Sequence, residues 1–113
     1  MKIRRGSLYV ANLSPRFGTE AGKLRPVVVI QTDFLNDIYH PSTWVIPCTT
    51  QLTSNNILRV LLPKACAGND KDCEVMIDQS RALDNARFRK ILGPIPKLLF
   101  EEIVEKLKTV GGF

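Results

Sequence analysis

Glu20-Ala21-Gly22-Lys23-Leu24-Arg25-Pro26-Val27-Val28-Val29-Ile30-Gln31 is the stretch from which the rest of the chain can be read. A turn rich in Gly and charge delivers one Arg and a Pro to the mouth of a strongly β-prone run, so the Arg is expected on firmly held backbone. Four apolar β-branched residues, Val27 to Ile30, predict a strand covered on both faces. Pro26 fits as its first residue, which need not donate to the ladder. Rigid placement of an always-charged planar donor fork suits recognition of a phosphate. A surface Arg at a strand end, with its charge in water, is the plainer alternative.

Upstream, Leu8 to Leu13 follows Gly6 and ends at Ser14-Pro15, which predicts a first strand closed by a turn. The loop Arg16-Phe17-Gly18-Thr19-Glu20 interleaves an aromatic ring with charge. Phe17 is either a base-stacking platform or a staple tucked under its own loop. Downstream, Thr32 or Asp33 is expected to cap one or two helical turns with Phe34 and Ile38 on one face. Thr43 to Thr50 reads as a strand in which Pro47 argues for an edge or a bulge. Thr49 there is by itself an ordinary strand-end hydroxyl.

A polar loop over 51–56 leads to a strand over 57–62, and a Gly- and Asn-containing loop over 63–72 follows. In the segment 73–84, Val75 and Ile77 alternate with Glu74, Met76 and Asp78, which predicts a strand that lines a surface. Gln79 and Arg81 continue its polar side if a kink intervenes. Asp84-Asn85 can cap a short turn through Phe88, and Arg87, Arg89 and Lys90 read as a solvated basic cluster. Beyond Pro94-Ile95-Pro96, Leu99, Ile103, Leu107 and Val110 recur at helical spacing with Leu98 and Val104 beside them, predicting an amphipathic helix over 97–110. Glutamates toward its start, lysines toward its end and Gly111-Gly112 after it agree with helix polarity. Short strands plus one terminal helix suggest a small, strongly bent antiparallel sheet or half-barrel, a mainly β fold.

With 113 residues the chain is expected to form one domain over 1–113 with a core of its own. Its +5 net charge permits a polyanionic partner without demanding one. No apolar run is long enough to cross a bilayer and no signal-peptide core follows Met1-Lys2-Ile3-Arg4-Arg5-Gly6, so a cytoplasmic location away from membranes is expected. Cys66 and Cys73 lack the close Cys or His spacing of a zinc site, so no structural metal is expected, and no cofactor is expected either; Cys48 reads as a small core residue, with a reactive thiol as the alternative. The single histidine, His40, rules out a two-histidine acid–base pair within one chain.

The ordered set Arg5-Gly6, Leu13-Ser14-Pro15, Gly18-Thr19-Glu20, Gly22, Arg25 to Ile30, Asn36, Pro41, Thr49-Thr50-Gln51 and Asp78 to Asp84 resembles the MazF/PemK toxins of bacterial toxin–antitoxin pairs, over nearly the whole chain. The resemblance implies an SH3-like, partly open barrel with a C-terminal helix, a homodimer, and metal-independent, sequence-selective cleavage of single-stranded RNA to 2′,3′-cyclic phosphate and 5′-hydroxyl ends. It implies a cognate antitoxin whose acidic, flexible tail covers the RNA groove. Arg25 and Thr49 match the family's catalytic pair. Phe17, Thr19, Glu20, Asp78, Gln79 and Arg81 match positions of its RNA groove. Ser7, Asn12, Ala21 and Lys23 depart from the family's usual residues, which bears on turn geometry and base preference. The alternative from another class is a CcdB-like toxin that binds DNA gyrase, for which the tail Val110-Gly111-Gly112-Phe113 is the one matching feature.

Overall fold

Two apolar cores, one on each face of a single sheet, follow from the two-residue period of its strands. The computed structural model describes residues 1–14, 18–19, 23–53 and 56–113. Its strands are β1 (Ser7–Asn12), β2 (Leu24–Val29), β3 (Ser42–Thr49), β4 (Arg59–Leu62), β5 (Cys73–Met76), β6 (Arg81–Asp84) and β7 (Phe88–Pro94). A short helix α1 (Asp33–Asp37) follows β2, and α2 (Lys97–Gly111) ends the chain. The sheet runs β4-β5-β3-β2-β1-β7, with β6 also paired to β3, and every pairing is antiparallel. β4 and β7 end the order without pairing to each other, so the barrel is partly open.

Val28 and Ile30 join Leu8, Ile46, Val75 and Ile103 in a core beneath α2. Val27 and Val29 join Tyr9, Ala11, Val45 and Leu83 in a core on the opposite face. The two-sided cover expected of the Val27–Ile30 run is therefore present. Helix α2 lays Leu99, Phe100, Ile103 and Leu107 on the first core. Each such side chain taken fully out of water contributes about 1.5–3 kcal/mol. Leu98, counted toward that stripe from the sequence, is 79% exposed, and Val110 is exposed as well. Gly112 closes the helix in the left-handed conformation, its N–H donating to the carbonyls of Lys108 and Thr109.

Three strand expectations need correction. Pro47 does not make β3 an edge strand, for β3 has partners on both sides and Pro47 stands in register with Val27, but it does sit at a local break in the pairing of the other flank. The antiparallel ladder explains its tolerance. Ile30 N–H donates to the Trp44 carbonyl, so the pairs alternating from there leave Val27 and Pro47 opposite one another without mutual hydrogen bonds. The Pro47 nitrogen thus faces the other flank, at the place where β6 has ended at Val45 and β5 begins at Cys48. A missing donor costs little there.

Strand β5 lines no surface, because Glu74 and Met76 are as buried as Cys73 and Val75. The basic segment after Arg87 is a strand, β7, with Phe88 buried and Arg89 and Lys90 in solvent. Helix α1 is capped by Thr32 as expected, but Phe34 and Ile38 are exposed. Arg4 instead ties α1 to the N-terminal segment through ion pairs to Asp33 and Asp37.

An amide network secures the start of β3. Gln31 Nε2 donates to Asn36 Oδ1 and to the Ser42 carbonyl, and Gln31 Oε1 accepts the Trp44 N–H. Thr43 Oγ1 donates to Asn85 Oδ1 at 2.6 Å, and Asn85 Nδ2 donates to the His40 carbonyl at 2.8 Å.

Candidate active site

Arg25 and Thr49 lie at neighbouring positions at the other end of β3. Val27 is in register with Pro47, and two residues further along each strand stand Arg25 and Thr49. Both share the side-chain parity of Val27, Val29 and Val45, so both project from the sheet face opposite α2. One row crosses the sheet here. Ala11 is paired with Arg25, and beyond Thr49 the row continues to Glu74 and Leu61. The small side chain of Ala11 leaves room beside the guanidinium.

Pro26 accounts for the placement of Arg25. In the alternation set by Ile30 and Trp44, the next bonded pairs are 28 with 46 and then 26 with 48. Pro26 has no N–H, and the β2–β3 ladder stops at Val27. The carbonyl of Cys48, which an N–H at position 26 would have met, instead lies 3.5 Å from Arg25 Nη1. That separation is long for an N–H···O bond, so the carbonyl orients the guanidinium rather than gripping it. Arg and Pro act as a unit.

Thr49 is only 7% exposed. Its Oγ1 accepts the Gln51 N–H at 3.1 Å. That bond occupies a lone pair, so the hydroxyl keeps a proton to donate. Beside it, Glu74 is 6% exposed and its Oε1 takes hydrogen bonds from Thr53 N–H at 3.0 Å, Thr53 Oγ1 at 3.1 Å and Arg59 Nη1 at 3.2 Å. Glu74 thereby fixes the loop that follows Thr49. The sequence reading missed this brace, since a Glu on an alternating strand looks solvent-facing.

The residues expected around an RNA groove are spread more widely. Phe17 and Glu20 lie outside the described residues, and Thr19 is exposed. Asp78, exposed, and Gln79 lie in a 3₁₀ turn between β5 and β6. Arg81 opens β6 opposite Val45 and so shares the face of Thr49, four residues along β3 or about 13 Å away.

Arg25 also borders a cavity of about 250 Å³, walled further by Thr50, Asn69, Lys71, Cys73 and Lys90. Gly68 closes it from below. A Cβ there would fall 2.6 Å from the Leu92 carbonyl oxygen, and its φ of +82° favours glycine in any case. A larger cavity of about 510 Å³ lies among Lys2, Asn36, Asp37, Tyr39, Asn85 and Phe88, and none of the described residues expected to be catalytic or to line an RNA groove borders it. Among the described residues no group of three or more His, Cys, Asp or Glu could hold a metal ion.

The arrangement offers a cation and a hydroxyl donor at neighbouring positions on adjacent strands, with the lysines of a cavity bordering Arg25. Residues 4–111 match the model of the PemK-like, MazF-like toxins of type II toxin–antitoxin systems. The chain superposes on MazF from Deinococcus radiodurans with a TM-score of 0.86 at 24% identity, covering 100% of this chain and 99% of that one. Against a MazE-MazF crystal structure from the same organism the TM-score is 0.80 at 25% identity, covering 100% and 98%. An endoribonuclease solved in complex with its cognate antitoxin, from a mycobacterial species, gives 0.76 at 16% identity, covering 99% and 95%.

Proposed function

The chain belongs to the PemK-like, MazF-like toxin family, whose members are generally endoribonucleases, and from that premise we propose that it cuts single-stranded RNA, sequence-selectively and without a metal, as the toxin of a toxin–antitoxin pair. RNA brings its own nucleophile, the 2′-hydroxyl. The protein has to align that oxygen with the phosphorus and stabilise the charge that develops. Thr49 donates its hydroxyl to a phosphate oxygen. Arg25 stands beside it to balance the charge of the phosphorane and of the departing 5′-oxygen. The 2′-oxygen bonds to phosphorus as the bond to the 5′-oxygen breaks, leaving a 2′,3′-cyclic phosphate and a 5′-hydroxyl. The observation that carries this reading is the shared face and neighbouring position of Arg25 and Thr49 on β2 and β3.

Phe17, Thr19, Glu20, Asp78, Gln79 and Arg81 are assigned to base and backbone contacts along the groove. The partner is a cognate antitoxin with an acidic, flexible tail, a reading supported by the MazE-MazF and toxin–antitoxin assemblies among its structural relatives and by the chain's +5 charge. The working unit is a cytoplasmic homodimer.

The test is incubation of the purified protein with a long single-stranded RNA in EDTA. Discrete cuts ending in cyclic phosphate are expected, and Arg25→Ala should lower kcat about 10³-fold, within the range found when one charge-stabilising group is removed. RNA binding without cuts would identify an inactive binding barrel. Trapped gyrase complexes without any effect on RNA would favour the CcdB-like alternative.

A further inference from the structure

All three cysteines gather at one place behind the proposed site. Cys48 on β3 and Cys73 on β5 are both buried in the core beneath α2, with Cys66 packed against it. Cys48 is in register with Val75, so Cys73 is its diagonal neighbour on the same face. The two thiols are close enough for each to shift the other's titration, Cys73 down and Cys48 up. Asn69 Nδ2 also donates to Cys73 Sγ at 3.9 Å. Cys73, only 1% exposed, lines the 250 Å³ cavity, whose wall carries Arg25, Lys71 and Lys90 against the single carboxylate of Asp70. An electropositive opening beside one thiol of a close pair is the setting of a reactive cysteine with a second one ready to resolve it.

We propose that Cys73 and Cys48 form an oxidation site that takes hydrogen peroxide and closes to a disulfide immediately beside Arg25 and Thr49. The Cys73 thiol gives up its proton as its sulfur attacks one peroxide oxygen, the O–O bond breaks, and the hydroxide that leaves takes that proton to become water. Cys48 then attacks the sulfenic sulfur of Cys73. The S–S bond forms, the S–O bond breaks, and the second hydroxide takes the Cys48 proton. Two thiols and one peroxide become one disulfide and two waters. The division of roles agrees with the thiols' surroundings. Interaction with Cys48 holds the Cys73 thiol below its ordinary range against burial and the charges of Asp72 and Asp70, while the same interaction and burial push Cys48 well up.

Closing this bond moves the site. Diagonal neighbours across an antiparallel pair stand about 7–8 Å apart at Cα. Disulfides span about 4.4–6.8 Å. The bond therefore draws the Cys48 backbone toward β5, and that backbone carries the carbonyl facing Arg25 and runs directly into Thr49. A bond under such strain is readily reduced, as a reversible switch requires. The thiol chemistry stands on its own, and its effect on cleavage rests on the ribonuclease reading above.

The experiment treats the full reduced chain with equimolar hydrogen peroxide, alkylates it, and maps its peptides by mass spectrometry while RNA cleavage is followed in parallel. A loss of about 2 Da, a Cys48–Cys73 crosslink and Cys66 left alkylatable are expected. Cleavage should fall about 10²-fold, the cost of a displacement near 1 Å at a catalytic group, and recover with dithiothreitol. Cys73→Ser should keep its full rate in peroxide, and if that variant does not fold, the peptide map of the unaltered chain still decides. A bond to Cys66, oxygen additions without a crosslink, or no change of mass overturns the proposal, and a crosslinked chain that cuts at the reduced rate overturns the switch. A chain that forms the bond but never cuts RNA refutes the ribonuclease reading and leaves the thiol pair standing.

Discussion

The two ends of β3 are built on opposite principles. At its start, Ser42–Val45, side-chain amides and a neighbouring strand take up the main chain. Gln31, Asn36, Thr43 and Asn85 bond to one another and to the main chain of β3, and β6 pairs along the outer side. At its end, Pro47–Thr49, the ladder to β2 stops, a carbonyl faces a guanidinium at 3.5 Å, and a buried hydroxyl keeps its proton. The first end spends its polar groups on holding the fold together. The second ends its ladder beside a cation and keeps a hydroxyl proton to donate, which is what a substrate phosphate requires. Polar density and burial alone would have chosen the wrong end, because Gln31 and Thr43 are buried just as Thr49 is.

Substitutions can break or sharpen that contrast. Thr49→Val keeps the shape and removes the hydroxyl, and should lower kcat about 10²- to 10³-fold with little change of melting temperature. Rapid-quench cleavage together with a thermal melt checks both halves, and a large loss of stability would place Thr49 with the structural end. Asn85→Ala should do the reverse. Removing a half-buried partner of Thr43 and of the His40 carbonyl should cost about 1–3 kcal/mol in urea unfolding and leave kcat of the folded protein nearly unchanged. A selective loss of cleavage in that variant would dissolve the distinction.

The smallest effect concerns acid, and it belongs wholly to the structural end. Burial pushes the Asp33 carboxyl up, but hydrogen bonds from the Arg5 N–H, Asn36 and Arg4, with the charge of Arg4, outweigh it and hold the group below its ordinary range. Its stabilising contribution is therefore fully present above the unfolded value near ~4 and is lost as pH falls through the lower folded value. Urea midpoints measured from pH 7 down to about 3 should decline less steeply in Asp33→Asn than in the unaltered chain, with cleavage at neutral pH the same in both.

What the sequence disclosed and what it concealed divide along range. The Val27–Ile30 run, the helical spacing of Leu99, Ile103 and Leu107, and the cap at Thr32 are local signals, and each appears where it was expected. Arg25 and Thr49 could be picked out only as members of an ordered set of residues, since either alone reads as ordinary surface chemistry. Strand β7 was hidden because Arg89 and Lys90 stand at adjacent positions and mask the alternation that Phe88 begins. Glu74 misled for a related reason. Its burial depends on Thr53 and Arg59, which arrive from a loop and a strand that no local pattern places beside it. Pro47 demanded still more, for its tolerance comes from a change of partners that exists only in the assembled sheet.

The imino nitrogen of Pro26 carries a last implication. Any other amino acid there would bring an amide hydrogen to the waiting oxygen of Cys48 and extend the β2–β3 ladder by one rung. The sheet would be more regular, and that amide would compete with the guanidinium for the carbonyl. A substitution that tidies the architecture would thus disturb the setting of Arg25, so at this position a break in the ladder is part of the proposed site.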